Sequence, residues 1–580
     1  MSSFIKKLVF SFLLVIVVST INAQTTITGT ITDSATQKPL EGVHIVLLGS
    51  IHGTTTDVEG KYILIVDQTP PFTISYSYLG FHTEEIVINE SVNVDIAMIE
   101  EALFGNEIVI SASRVKQRIL TSPVSVEKMD IRFIEQTASA EFYDAISLMK
   151  GVQVTNSSLN LTSVNTRGFS DVTNSRFIQI VDGMDTSDPT NNANLGNITG
   201  IGELDIESVE LLPGAASALY GPNAFNGMLI MNSKSPFEYQ GLSLMTKVGF
   251  TNSDAGGSDP LSIYSFRYAK AYNDKIAFKV NFYYLGAQDW TSNDFKTDRN
   301  NPSSTIDLSN DPNFDGVNLH GDETPIPINN FGIGTIRRTG IQERSLLDNN
   351  NARTIKADAA IHYRFNEKLE LIGNYRIAGG SSMGQTYSKF AYRNFAEELY
   401  KLELKGDNFF ARSYVSITNI DDTYDLSATG ALVNERFNPS VREDGTGWVP
   451  DYITAYLGGI PNVAPNDHNA ARTYADRFMI DPITGSFVST FQDVVNEVRT
   501  SEYQGDPPGS SFYAKSYIWN HELFYNFKNI SWAEVIAGTN YKRYNLFSNA
   551  TLFNEAPDDP NVKERTQTFL LGAYTQISKT

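Results

Sequence analysis

Cysteine is absent from all 580 residues, so disulfides, thiolate zinc sites and a lipidated N-terminal cysteine are excluded. Histidine is scarce: seven stand at positions 44, 52, 82, 320, 362, 468 and 521, with neither an H-E-x-x-H motif nor a close pair to hold zinc. Positive charge is in deficit, 45 Lys and Arg against 66 Asp and Glu. The net charge of -21 has the wrong sign for a phosphate backbone, so nucleic acid is not an expected partner. Long apolar runs are also missing after the first two dozen residues. Nothing there approaches the roughly 18 to 20 continuous apolar residues of a transmembrane helix, which leaves a soluble exported product or a β-barrel.

Catalytic signatures are lacking too. No G-x-S-x-G elbow or P-loop occurs, and neighbouring carboxylates such as Asp421 with Asp422 have nothing around them to force opposed acid and base roles. An enzyme is not expected.

What is abundant is aromatic, with 28 Tyr and 34 Phe, a composition suited to β-strands. The start, "MSSFIKKLVFSFLLVIVVSTINAQ", has Lys6 and Lys7 before an apolar run and small residues up to Ala23, as in a secretory signal spanning 1–23. From residue 24 to 100, short alternating runs such as "TITGTITD", "GKYILIV" and "FTISYSYLG" are separated by turn signals, which predicts a small β-sandwich. Asp57 and Gly60 suit a hairpin turn there, with no ligand implied. The segment resembles the carboxypeptidase-regulatory-like domain, a Greek-key sandwich that often precedes outer-membrane transporters of Bacteroidetes-type bacteria; the name implies no peptidase activity.

Residues 101–114 read as a linker containing "EIVISAS", an extended run that a partner could capture by strand addition or that could open the next domain. From 115 to 238 a helix on "SAEFYDAISLM", with Ser139 as N-cap and Phe142, Ile146 and Met149 on one face, is followed by three strand-like runs, which predicts an α+β domain. Beyond residue 239 the runs lengthen, as in "LSIYSFRYAKAYNDKIAFKVNFYYLG", where Tyr272 to Lys275 is a short turn. Long polar inserts at 289–352 and 421–510 alternate with such turns, as in an outer-membrane barrel.

Five segments in order carry a specific resemblance: "PVSVEKM", "DAISLMKGVQV", "TRGF", "QIVDGMD" and "IESVELLPGAASALYGPNAFNGMLI". Together they resemble the plug domain of TonB-dependent outer-membrane receptors. On this resemblance the plug-motif residues are Arg167, Gly168, Phe169, Asp182, Gly183, Glu210, Pro213, Gly214, Ser217, Leu219, Tyr220, Gly221, Asn223 and Gly227. The TonB box, which TonB would bind, falls on Glu107, Ile108, Val109, Ile110, Ser111, Ala112 and Ser113. In "GAASALYGPNAFNGM" a helical turn from Ala215 to Tyr220 should end at Gly221, before Pro222.

The resemblance implies a mainly β chain: the sandwich, the α+β plug and part of an antiparallel transmembrane barrel, 22-stranded in the family, with the partners TonB and its energising inner-membrane complex. It implies a receptor in the outer membrane, in contact with its lipid, that binds a scarce small-molecule or oligomeric nutrient outside and imports it. The alternatives are a binding or signalling protein without transport and a SusC-like glycan or peptide importer with a surface lipoprotein. Two departures stand out. Leu212, Pro213 and Gly214 replace the Arg-Gly-Pro of many members, so another contact must hold plug to barrel; and no "GYG" segment with following lysines comes after the box, unlike SusC-like importers.

The 340 or so residues after the plug should form about 12 to 14 strands, too few to surround a plug, so the receptor is expected to be incomplete. Finally, "DPNFDGVNLHGDE" fits a calcium-loop pattern, with Asp311, Asn313, Asp315 and Asp322 as oxygen ligands, against the alternative of a solvated polar loop. No other cofactor is expected.

Overall fold

The structure, a computed structural model, describes residues 25–48, 50, 53–78, 80–90, 93–99, 108, 109, 114, 117–119, 122, 124–137, 139–170, 172–386, 388–420, 422–497, 508–528, 530, 532–549, 551–553, 555 and 565–579. The expected signal segment lies outside them, as do Glu107, Ile110, Ser111, Ala112 and Ser113 of the expected box. The chain divides into two compact units that part at residues 108 and 109, with 118–121 belonging to the first.

The first unit is a sandwich of seven strands: β1 (Thr25–Asp33), β2 (His44–Leu47), β3 (Gly53–Thr55), β4 (Lys61–Val66), β5 (Phe72–Ser77), β6 (Glu84–Ile88) and β7 (Ile96–Met98). One sheet has the order β4-β1-β7 and the other β3-β2-β5-β6. Period-two alternation buries Ile27 and Ile31 of β1 against Ile45, Leu64, Ile74 and Tyr76, while Ile63 and Ile65 face outward. At the β3–β4 turn the Asp57 carboxylate accepts from the amides of Glu59 and Lys61, both at 2.9 Å. Gly60 has φ +73°, and a Cβ there would lie 2.5 Å from the Ile31 carbonyl oxygen, so the position requires glycine.

The second unit opens with the α+β domain. Its five-stranded sheet has the order β8-β13-β14-β11-β12, from β8 (Glu127–Asp130), β11 (Phe177–Val181), β12 (Met184–Asp185), β13 (Ile206–Pro213) and β14 (Gly227–Ser233). The hairpin β9 (Val152–Ser158) and β10 (Leu161–Thr166) forms a separate two-stranded sheet. Sheet and hairpin close on Phe142, Tyr143, Ile146, Val164, Val209 and Met231. The expected helix is 3-10 over Phe142–Leu148, and Ser139 is not its cap: its hydroxyl donates to the Glu141 carbonyl at 2.6 Å, while Glu141 takes the N-cap position without a side-chain cap. The predicted turn does form, as a helix over Ser217–Tyr220 ended by Gly221 at φ +89°.

Ten long antiparallel strands follow in chain order: β15 (Gly241–Ser253), β16 (Gly257–Tyr272), β17 (Ile276–Gln288), β18 (Asn351–Asn366), β19 (Leu369–Gln385), β20 (Lys389–Gly406), β21 (Phe409–Asn419), β22 (Lys515–Asn526), β23 (Glu534–Leu546) and β24 (Thr566–Ser578). Among the described residues β15 and β24 are edges, so the sheet is open. With two short strands at the ends of the second insert, Thr423–Asp425 and Ser511–Phe512, the sheet has 12 strands among the described residues, the lower end of the 12 to 14 expected. Individual strands run to 18 residues, and the two inserts consume chain in their own structure.

The sheet reverses the usual polarity of a soluble protein. Its inner positions bury Arg267, Lys279, Asp358, Arg376, Glu397, Lys401 and Glu522, while Ile361, Phe365, Leu402, Trp519, Leu523 and Tyr525 of the same strands are exposed. Each large apolar side chain left in water forgoes about 1.5–3 kcal/mol. A dozen in lipid would therefore contribute on the order of 20 kcal/mol, more than the 5–15 kcal/mol net stability of a typical domain. This outer face is suited to hydrocarbon, and a polar interior is the pattern of a membrane barrel.

The inserts are not open polar loops. Helices Leu426–Phe437, Trp448–Tyr456, His468–Ala475 and Gly485–Asn496 pack on short strands, with cores around Tyr424, Val433 and Phe491 and around Ile336, Trp448 and Tyr452. Asp425, Asp467 and Thr484 cap three of these helices by accepting from first-turn amides.

Candidate functional site

The α+β domain meets the inner face of the long sheet along a seam of charge. Asp205, at the foot of β13, accepts from Arg267 Nε of β16 and Lys279 Nζ of β17, each at 2.7 Å. Glu203 pairs with Lys247 of β15 at 2.9 Å, and Asp185 with Lys542 of β23 at 3.1 Å. Asp182 lies 3.4 Å from Arg376 of β19, and its carbonyl accepts from Lys401 of β20 at 2.9 Å. Burial opposes ionisation of Asp182, yet Lys279, Lys401 and Arg376 together hold its carboxyl well below the usual range. Tyr283 of β17 donates to Glu141 at 2.6 Å. Removing one partner from such a buried pair typically costs about 3–5 kcal/mol, because the other charge is left uncompensated.

A second cluster begins just after the expected box. Arg114 pairs with Glu522 of β22, donates to the Leu219 carbonyl at 2.7 Å, and lies over the rings of Tyr220 at 4.4 Å and Tyr574 at 5.3 Å. Glu522 also lies 3.2 Å from Arg412 of β21, which contacts Glu403 at 3.0 Å and donates to the Gly183 carbonyl at 3.1 Å. One guanidinium thus joins residue 114 to the turn at Leu219 and Tyr220 and to the long sheet.

The sequence-predicted residues fall into three places. Arg167 and Gly168 form a positive-φ turn after β10, and the Arg167 guanidinium lies so close to Gly214 that a Cβ there would be 2.9 Å from it. Pro213 ends β13, the Ser217 hydroxyl donates to the Ala224 carbonyl at 3.1 Å, and Asn223 and Gly227 take positive φ on the way into β14. Asp182 and Gly183 turn β11 into β12, Glu210 is buried opposite Lys128 and Ile230, and Phe169 is exposed. Of the expected box, Ile108 and Val109 form a two-residue strand.

The four expected calcium ligands do not share one cavity-facing shell. Asp315 is bonded to Arg299 at 2.8 Å and faces Arg337 at 3.3 Å, Arg337 also donates to Asn313 at 3.1 Å, and Asp311 accepts from the Asn313 amide at 2.7 Å. Asp322 accepts from the Gly316 amide at 2.9 Å. A cation there would have to displace two guanidinium groups, and among the described residues no group of three His or carboxylate side chains is placed to hold a metal.

Several residues that position the site were not singled out by sequence. Asn226 bonds both backbone groups of Thr166 at 3.0 Å and accepts from Asn174 at 2.9 Å, pinning the hairpin to the start of β14. Arg114, Glu141, Asp205 and Glu522 carry no local pattern, because each acts through a partner far along the chain. The one available signal was the inward register of charged residues on otherwise aromatic strands.

Residues 27–110 match the CarboxypepD_reg-like domain family, and residues 118–228 match the TonB-dependent receptor plug domain. Among curated proteins the chain is similar to TonB-dependent receptor P39 of Formosa agariphila, 28% identical over 269 residues, covering 43% of this chain and 23% of that protein. It is also similar to TonB-dependent receptor SusC of Bacteroides thetaiotaomicron, 26% identical over 217 residues, covering 36% of this chain and 21% of that one. The matches thus span under a quarter of the length of these curated relatives. A solved ferric enterobactin receptor of Pseudomonas aeruginosa aligns over 81% of this chain and 57% of its own, at 12% identity and a TM-score of 0.44. The chain therefore carries a carboxypeptidase-regulatory-like domain followed by a TonB-dependent receptor plug, and is a homologue of the Bacteroidetes TonB-dependent receptors.

Proposed function

We propose that the protein is an outer-membrane receptor and active transporter that takes up a scarce nutrient using energy delivered by TonB. The observation that carries this reading is the plug's attachment: a folded α+β domain held to a polar inner face by buried ion pairs, with Arg114 tying the segment beyond the box to both. The attachment also includes apolar contacts, Leu195 and Ile198 with Phe395 and Met184 with Leu399, so release by force has to separate both kinds of contact, while the plug's own core around Ile146 and Val209 is distinct from them. In this reading Glu107 to Ser113 add a strand to TonB, and backbone pairing over several residues bears the load. The nutrient enters from the side of the long inserts, and no step needs a catalytic group.

A SusC-like importer working with a surface lipoprotein is a second reading, favoured by the similarity to SusC over the N-terminal part of the chain. The test of energised transport is deletion of Glu107 to Ser113 in the full-length gene. Uptake should be lost while surface binding persists; unchanged uptake would remove the box assignment. Co-purification of a surface lipoprotein with the tagged receptor separates the second reading from the first.

A further inference from the structure

The plug loop after β12 runs along the inner face of the sheet over a short, well-marked course. At one end the amide of Asp185 donates to the Tyr414 hydroxyl of β21 at 3.3 Å, and at the other the Thr190 hydroxyl donates to the Ser516 hydroxyl of β22 at 3.0 Å. Ser516 pairs with Thr418 across β21 and β22, and Thr418 pairs with Glu397 across β20 and β21. Ser187 and Asp188 lie in the chain between the two anchors at Asp185 and Thr190, and Asp188 is near enough to Glu397 to act on it electrostatically.

These side chains are buried, and of them Asp188 accepts from the Thr190 amide at 3.1 Å while the others are short of partners. Glu397 accepts only from the Ser416 hydroxyl, at 3.3 Å, and its Oε2 has no hydrogen-bond partner. The hydroxyls of Ser187 and Thr418 are likewise buried and unpartnered. The charges acting on Glu397 include two further carboxylates, Asp185 and Asp188, and one cation, Arg376. Asp185 is bonded to Lys542, and Arg376 lies 3.2 Å from Asp358 and 3.4 Å from Asp182. This leaves Glu397 and Asp188 without a dedicated counter-charge. A buried carboxylate without a cation is costly, and unpartnered hydroxyls beside it add about 1–3 kcal/mol each.

We propose that Glu397, Asp188, Ser187 and Thr418 form a site for a hard monovalent cation, with sodium as its natural occupant, that fastens the plug loop to the sheet. The donor set is oxygen only, as hard cations require. Two carboxylates with neutral hydroxyls suit a single positive charge better than calcium, which takes six to eight oxygens and commonly several carboxylates. Burial pushes Asp188 up to about 6 against the hydrogen bonds that Thr190 and Asn191 give it, so an ionised Asp188 still gains from a bound cation.

The test is hydrogen exchange of residues 186–190 in the detergent-purified full chain, in sodium chloride against choline chloride at equal ionic strength. Exchange should slow about tenfold in sodium once its concentration reaches roughly ten times the dissociation constant. Glu397→Gln should remove this difference, and Thr418→Val, which deletes one neutral donor and keeps the charge balance, should shift it to higher sodium. Equal protection in choline overturns the site. So does sodium-specific protection that survives in both variants, or a response to pH alone in either salt, which would assign a proton instead.

Discussion

The guanidinium of Arg412 sits directly on the turn at Gly183, donating to its carbonyl at 3.1 Å; a Cβ at Gly183 would fall 2.0 Å from Arg412 Nη1. Gly183 also has φ +79°, so a side chain there meets both backbone strain and a rigid, doubly paired arginine. Gly183→Ala should destabilise the plug by about 1–3 kcal/mol and displace Arg412 from Glu403 and Glu522. Thermal unfolding of the two proteins side by side checks this, and identical melting would show that the turn tolerates a side chain.

Asp205 answers two cations at once. Asp205→Asn leaves Arg267 and Lys279 sharing a neutral acceptor and should cost about 3–5 kcal/mol locally, seen as faster hydrogen exchange over 203–234. If Lys279→Met in the same background restores protection, the loss is the unpaired charge; no change in exchange for Asp205→Asn would argue against the seam as the attachment.

Arg114→Gln should expose the segment before the plug to protease. Charge-assisted hydrogen bonds contribute about 1.5–3 kcal/mol each, so cleavage between 107 and 120 should rise roughly ten- to a hundredfold. Glu522 keeps Arg412, so the sheet itself should melt as before. Cleavage at the native rate would mean that Arg114 does not hold the segment.

The first insert should depend on pH through His320, whose Nδ1 lies 3.2 Å from both Glu323 and Ser427 and whose Nε2 lies 3.5 Å from Glu343. Burial opposes its charge, but the two glutamates raise its pKa above the usual 6.5. That contribution is complete below 6.5 and lost as pH rises through the folded value. For Glu323, burial is outweighed by hydrogen bonds from His320 and Ser427, which hold it at about 2 against the usual 4.5. Its contribution is present above 4.5 and lost as pH falls towards 2. Exchange of residues 319–323 and 426–437 should thus be slowest between about 4.5 and 6.5. His320→Gln should flatten the alkaline side, and a flat profile in the wild type would deny the histidine its charge.

Much of the fold was legible because it rests on local patterns. Period-two alternation marked β1, β4 and the long strands, Asn273 and Asp274 take the positive φ that the turn after Tyr272 needs, and Gly221 ends its helix where glycine and proline placed the stop. The inserts were read only as long polar segments, and their helices were not foreseen. Their composition is polar overall, and the apolar stripes of their helices are short, so only the caps at Asp425, Asp467 and Thr484 announced them. The calcium pattern at Asp311 to Asp322 was a local match in which Arg299 and Arg337 engage the side-chain oxygens of Asp315 and Asn313, and guanidinium groups from elsewhere in the chain are invisible to a spacing rule.

Strand alternation, turn chemistry and the five plug segments were set by neighbours a few residues apart, and so could be read along the chain. The seam was not. Asp205 meets Lys279 across 74 residues, Asp182 meets Arg376 across 194, and Asp185 meets Lys542 across 357, pairings that exist only once the sheet's register turns those cations inward. Charge acts through space and, in a buried low-dielectric seam, strongly. Which charges face each other is therefore a property of the folded chain, and it determines how the plug is held.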